Sequence, residues 1–284
     1  MKNILFVASE CVPFVKTGGL ADVVGALPKS LDKDKYDVRV VIPDYTSIPQ
    51  KYRSRFSYLD SFYMDLGELG NFYVGIMTCE FDGIRYYYID NEHFFQGERL
   101  YSDILWDIQK FSFFSKAVLS MLPVIGFRPD IIHCHDWQTA LIPVFLHEMF
   151  QDNPFFRGIR TIMTVHNLKF QGVWDIQTMR RFTGLPGHVF TLGRMEFHRD
   201  ANMLKGGLVY ADRITTVSNT YANEIRMPYY GEGLDGLLNA RSDSLWGIVN
   251  GIDYDLYNPA TDKMIAENYD ETTFEAVSYT HLTL

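Results

Sequence analysis

Three cysteines, Cys11, Cys79 and Cys134, are all that the 284 residues contain. Their odd number and wide spacing exclude both a disulfide framework and a CxxC zinc pattern, and they fit a reducing compartment. Positive charge is also scarce: 26 Lys plus Arg stand against 35 Asp plus Glu, for a formal net charge of -9. Such a chain has no general attraction for duplex nucleic acid or anionic lipid, so an anionic ligand needs a local site. No apolar run approaches the roughly 20 residues of a membrane helix. Met1-Lys2-Asn3 leads into Ile4 to Ala8, a stretch too short for a signal-peptide core. The expectation is a cytoplasmic protein with neither nucleic acid nor membrane as partner. The nucleotide fingerprints GxxxxGK[ST] and GxGxxG are missing as well.

Apolar residues are plentiful, at 47% with 15% aromatic, enough for a large core. Ile4 to Ala8 is a continuous apolar run, the mark of a strand buried on both faces, and the next run, Val38 to Ile42, stops at Pro43. Between them Gly18-Gly19 opens a helical pattern through Leu20, Val23, Val24, Leu27 and Leu31, which makes one βαβ unit. Asn71 to Ile76 and Ile84 to Ile89 flank Phe81-Asp82-Gly83 and read as an antiparallel hairpin with an Asp-Gly turn. Trp106 to Leu122 has helical spacing. Strands follow at 130–134, 159–165, 213–217 and 246–249, alternating with helices at 137–150, 201–210 and 221–226. The alternation predicts a Rossmann-like, doubly wound parallel α/β sheet with a β-hairpin insertion. Asp136 and Ser218 stand where helix caps are expected. After Glu267 neither period persists.

In an open parallel sheet, ligands bind outside the carboxyl ends of the strands. Four polar clusters fall there: Lys16-Thr17-Gly18-Gly19, His135-Asp136-Trp137, His166-Asn167 and Asn250-Gly251-Ile252-Asp253. Two glycines before a helix expose backbone N–H groups at its positive end, and Lys16 adds a cation, an arrangement suited to phosphate. The same residues also read as a tight turn with a solvated lysine. His133, His135 and Asp136 lack the further ligands a zinc site requires, so no metal is expected. His166-Asn167 can hydrogen-bond sugar hydroxyls or stabilise charge at a sugar ring, or can be a satisfied buried pair. Tyr101 and Tyr86-Tyr87-Tyr88 can stack on sugars or fill the core. Lys205-Gly206-Gly207 reads as helix packing against the sheet.

Taken together, the motifs Lys16-Thr17-Gly18-Gly19-Leu20-Ala21-Asp22-Val23, His133-Cys134-His135-Asp136-Trp137, Val165-His166-Asn167-Leu168 with Gln171-Gly172, Leu204-Lys205-Gly206-Gly207, Gly233 to Leu238 and Asn250-Gly251-Ile252-Asp253 resemble, in order, those of bacterial glycogen synthases and plant starch synthases. The resemblance covers about residues 1–265. It implies the N-terminal half of a GT-B fold and retaining transfer of glucose from ADP-glucose to the non-reducing end of an α-1,4-glucan such as glycogen, without a cofactor. By the match, Lys16, Thr17, Gly18 and Gly19 approach the donor. Asp136, Trp137, His166, Asn167, Asn250 and Tyr101 line the sugar pocket, with Lys16, Asp136 and His166 closest to the chemistry. Residues 1–257 are expected to form the N-terminal catalytic domain and 258–284 an interdomain connection. From about Ala276 the likeness ends, which reads as a truncated or foreign tail, with the nucleotide-binding C-terminal domain absent and transfer by this piece weak or nil. A non-catalytic glucan-binding module is the alternative.

Overall fold

The computed structural model describes residues 1–97, 99–254, 257–273, 275 and 277. The chain divides into two compact units, Met1–Val249 and Asn250–Leu284. In the second, Asn268 Nδ2 donates to the carbonyls of Pro259 and Asp262, and the Asp270 carboxylate accepts the Thr272 N–H, so this stretch folds as turns. Ala276 and residues 278–284, where the divergent tail was expected, lie outside the described residues.

The first unit is organised by one sheet. Its strands are β1 (Lys2–Val7), β2 (Tyr36–Pro43), β3 (Ser57–Asp65), β4 (Asn71–Phe81), β5 (Ile84–Asp90), β6 (Ile131–His135) and β7 (Arg160–Val165), and later β11 (Arg213–Thr216) and β12 (Leu245–Gly247). Three short strands, β8 (Val173–Asp175), β9 (Glu196–Phe197) and β10 (Asp200–Asn202), form a separate small sheet. The large sheet runs β12-β11-β7-β6-β1-β2-β5-β4-β3. Every pairing from β12 to β5 is parallel, and β4 and β3 add antiparallel. β1 is central because both its faces are apolar: Leu5, Phe6, Val7 and Ala8 are all buried.

The Asp-Gly hairpin forms as expected, with Asp82 and Gly83 at φ 50° and 72°, the positive values that a type I′ turn demands. It is fused into the main sheet, because β5 pairs in parallel with β2. The edge strand β3 escaped the sequence reading for a physical reason. Most of its residues are exposed, so no apolar alternation marks it. The helix expected over 201–210 begins at Met203, since residues 200–202 are drawn into β10. Among the described residues no helix is long and apolar enough to cross a membrane.

Gly206 and Gly207 pack, but not on the sheet. A Cβ on Gly207 would lie 2.7 Å from Ala140 Cβ and 2.9 Å from Ala140 O, and one on Gly206 would meet Met195 and Val144. The helix Met203–Tyr210 thus rests on the segment that follows β6. Gly207→Val is expected to lower stability by about 2 kcal/mol through overpacking. Gly236, whose Cβ position has nothing within 4 Å, gives the control: Gly236→Ala should be neutral or mildly stabilising. Urea unfolding midpoints of the two variants check this.

Candidate active site

The chain order reverses around β1: β2 and β5 extend the sheet on one side, while β6, β7, β11 and β12 extend it on the other. The crevice outside the carboxyl ends of β1 and β6 is the place where such a sheet binds ligands. Two polar clusters meet there.

The first is built by the chain leaving β1. Glu10 is 3% exposed. Its carboxylate accepts the Thr17 backbone N–H and, at 2.9 Å, the Thr17 hydroxyl. Burial raises its pKa, and the Thr17 and Gly18 donors oppose that rise. The loop carrying Lys16 to Gly19 is therefore folded over a buried carboxyl. Gly18 precedes the helix Gly19–Ser30 and supplies no side-chain cap. Positions 18 and 19 have nothing within 4 Å of where a Cβ would stand. Packing inside the chain does not require glycine there, whereas a ligand approaching the backbone does. Lys16 Nζ lies 2.6 Å from Asp22 Oδ1, in the first turn of that helix.

Glu10 went unnoticed in the sequence, although it stands a few residues past a buried strand, where ligand-facing groups belong. Glu10→Ala is expected to cost about 1–2 kcal/mol by orphaning the Thr17 donors. It should also speed amide exchange at Thr17 by on the order of tenfold. Hydrogen-exchange NMR reads both the site and the neighbouring amides that should stay unchanged.

The second cluster joins β6 to β7. Asp136 adopts φ 57°, a left-handed conformation that non-glycine residues seldom take. The expected helix cap is not what it does: the turn Trp137–Thr139 has no side-chain cap. Its carboxylate instead accepts the backbone N–H of His166 at 2.7 Å and of Asn167 at 3.4 Å, and so caps the turn after β7. The left-handed backbone aims the side chain sideways across the sheet end. Burial pushes Asp136 up to about 7, against these two hydrogen bonds and with the Glu10 charge adding to the rise.

His166 Nε2 lies 2.9 Å from His135 Nδ1. The rings of His133 and His135 stack 4.3 Å apart, as their shared strand face requires. His133 Nε2 reaches Thr164 Oγ1 at 2.6 Å. Burial lowers His133 to about 3 and His166 to about 4, so both are neutral at pH 7.

A cleft of about 820 Å³ opens beside these clusters and is lined by Thr17, Tyr101, Trp137, Phe170, Gln171 and Glu232, among others. Tyr101 hydroxyl meets Ser9 Oγ at 2.9 Å, and its pKa is raised by burial and then by Glu10, with Asp136 contributing, which places it near both carboxyls. Trp137 is nearly buried, edge-on to Phe111 at 5.4 Å. Gly172, at φ 63°, leaves room for it: a Cβ there would lie 2.4 Å from Trp137 Cε3. Gln171, which the sequence reading did not rank, holds the cleft wall through Asn202 Nδ2 and the Glu232 carbonyl. Lys205 is turned away onto the carbonyls of Leu192 and Glu196. Asn250 is an exposed residue of the second unit. The structure thus brings Lys16, Thr17, Gly18, Gly19, Tyr101, Asp136, Trp137, His166 and Asn167 to one end of one sheet.

The catalytic domain of starch synthase IV from Arabidopsis thaliana, solved bound to ADP and acarbose, superposes on 95% of this chain with a TM-score of 0.85 and 31% identity, the match covering 55% of that chain. Fold and crevice together define the class: a Rossmann-like half of a GT-B glycosyltransferase. The family described as "Starch synthase catalytic domain" matches residues 3–240. The chain belongs to that family. Curated relatives include the glycogen synthases of Lachnospira eligens, 61% identical over 274 residues, and of Lachnoclostridium phytofermentans, 58% identical over 274 residues. Each match covers 96% of this chain and 57% of the relative, so the chain spans little more than half the length of the curated relatives it matches.

Proposed function

We propose that this chain carries the N-terminal catalytic half of a cytoplasmic, ADP-glucose-dependent glycogen synthase, with residues 1–257 as the catalytic domain and the following residues as connection. The reaction moves glucose to the non-reducing end of an α-1,4-glucan with retention. The observation that carries this reading is the convergence of the Lys16–Gly19 loop and the Asp136–His166 cluster on the crevice between β1 and β6. The ADP and acarbose bound to the similar plant enzyme support a nucleotide-sugar donor and a saccharide acceptor here.

In this reading the bond from glucose C1 to the diphosphate oxygen breaks as a bond from C1 to the acceptor oxygen forms on the same face. The acceptor proton passes to the departing phosphate. Lys16 exchanges Asp22 for the leaving diphosphate, and the open backbone at Gly18 and Gly19 lets its oxygens approach closely. His166 contacts the sugar, Asp136 fixes the turn that carries it, and Tyr101, Trp137 and Asn167 line the glucose pocket.

Calorimetric titration of the purified chain with ADP-glucose and with a maltooligosaccharide, together with a labelled-glucose transfer assay on glycogen, tests the proposal. ADP-glucose should bind, and Lys16→Ala should weaken it by about tenfold, the loss of one charge-assisted contact. Absence of binding by either sugar, or an unchanged Lys16→Ala affinity, overturns it. Binding of the glucan alone supports instead a glucan-binding module, which the aromatic cleft beside Trp137 would serve.

A further inference from the structure

We infer that His135 is a positioning residue that locks His166 in the Nδ1–H tautomer, so that His166 meets its ligand as a hydrogen-bond donor and not as a base. The inference begins with the proton count in the His135–His166 pair. One of the two facing nitrogens, His135 Nδ1 and His166 Nε2, must donate across their 2.9 Å separation. His135 Nε2 is fully buried and meets no hydrogen-bond partner among the described residues. If His166 donated, the His135 proton would sit on that nitrogen, and a buried N–H would be orphaned. An orphaned donor is the rarer and costlier fault than an orphaned lone pair. His135 therefore carries its proton on Nδ1 and gives it to His166 Nε2.

The consequence passes to the crevice. With Nε2 accepting, neutral His166 holds its own proton on Nδ1, which makes no hydrogen bond among the described residues. That N–H is left for the ligand. Both lone-pair routes are closed, since Nε2 is occupied and Nδ1 is protonated, and base chemistry by His166 is thereby excluded.

The surroundings keep His135 in place. Thr139 Oγ1 accepts its backbone N–H at 2.7 Å and donates to its carbonyl at 2.9 Å. The His133 ring stacks on its ring, and Phe6 lies nearly parallel to it at 5.8 Å. His135 touches no ligand in this scheme; it acts through His166. Its importance for transfer rests on the function proposed above, while the tautomer itself does not.

Long-range proton–nitrogen correlation NMR of the chain labelled with ¹⁵N-histidine at pH 7 tests this, with His166 assigned through His166→Gln. Protonated Nδ1 and bare Nε2 are expected on both His135 and His166. In His135→Asn, whose amide nitrogen donates from the place of Nδ1, His166 should keep its tautomer. In His135→Phe the donor is lost and the His166 signal should split between the two tautomers. A protonated Nε2 on His166 in the wild-type chain overturns the inference, as does an unchanged His166 in a folded His135→Phe. Should that variant not fold, the wild-type spectrum decides by itself. The spectra are recorded without ligand, so a failure of ADP-glucose to bind would sink the functional reading and leave the tautomer result standing.

Discussion

Asp136→Ala is expected to destabilise the chain by about 2–4 kcal/mol, because it strips the acceptor from two backbone donors in a buried setting. Asp136 is only 9% exposed and bonds both His166 N–H and Asn167 N–H. Among the described residues no other side chain is bonded to those amides. The turn after β7 then loses its anchor and His166 shifts relative to the Lys16 loop. A displacement of about 1 Å at a reacting centre is worth on the order of 100-fold in rate, so whatever glucosyl transfer the proposed function brings should fall by at least that. Asp136→Asn separates scaffold from charge. The amide oxygen accepts both N–H groups, so urea midpoints should return to within about 1 kcal/mol of wild type. If transfer returns with stability, the carboxylate charge has no part in the chemistry.

Acidification from pH 7 to pH 5 should set larger opposing terms against each other. His133 and His166 are lowered from 6.5 to about 3 and about 4, and His135 well below 6.5. Unfolding releases them to take up protons, so their contribution is whole above 6.5 and is lost as pH falls below it. At pH 5 His133 and His166 have each cost about 2 kcal/mol, about 4 kcal/mol together, and His135 adds to the loss in the same direction. Asp136 and Asp44 act in the other direction. Their folded values, raised from 3.8 to about 7 and about 6, let the native state hold protons that the unfolded chain has shed. Falling pH through this window therefore adds stability, about 2 kcal/mol from Asp136 and about 1 kcal/mol from Asp44. The loss at pH 5 should therefore be about 2 kcal/mol larger in Asp136→Asn than in the wild-type chain, because the substitution removes the Asp136 gain. Urea unfolding of both proteins at the two pH values measures the difference. Parallel losses would show that Asp136 binds no proton in this range.

Much of the architecture was legible because it is written in local patterns. The unbroken apolar run Ile4 to Ala8 reads as a strand covered on both faces, Val38 to Ile42 does so despite Arg39, and the Asp82-Gly83 pair closes a tight hairpin. Ser218 caps its helix by accepting the Tyr221 N–H, as a local rule expects. Asp136 defeated the same rule, since the donors that won its carboxylate lie some thirty residues further along, beyond any cap pattern. β3 was hidden by exposure, and the helix after Asp136 breaks into a 3₁₀ turn, a short α-helix and a π-turn that one apolar period cannot tell apart. At the site, position at strand ends singled out the loops, while Glu10 and the tautomer role of His135 emerged only from side-chain geometry. A carboxyl under a loop and a proton shared between two rings leave no spacing to read.

The reversal of strand order around β1 has a consequence for how the site comes into being. Glu10 and Asp136 follow strands that adjoin in space and are far apart along the chain, with β2 to β5 folded in the interval. The two halves of the crevice meet only through a long-range event, so the site exists only once the most sequence-distant pairing of the sheet has closed. Any molecule that bridges the two strand ends binds the native state alone, and its affinity is converted directly into resistance to global unfolding. Ligand occupancy in the crevice is in that sense a reporter of complete folding.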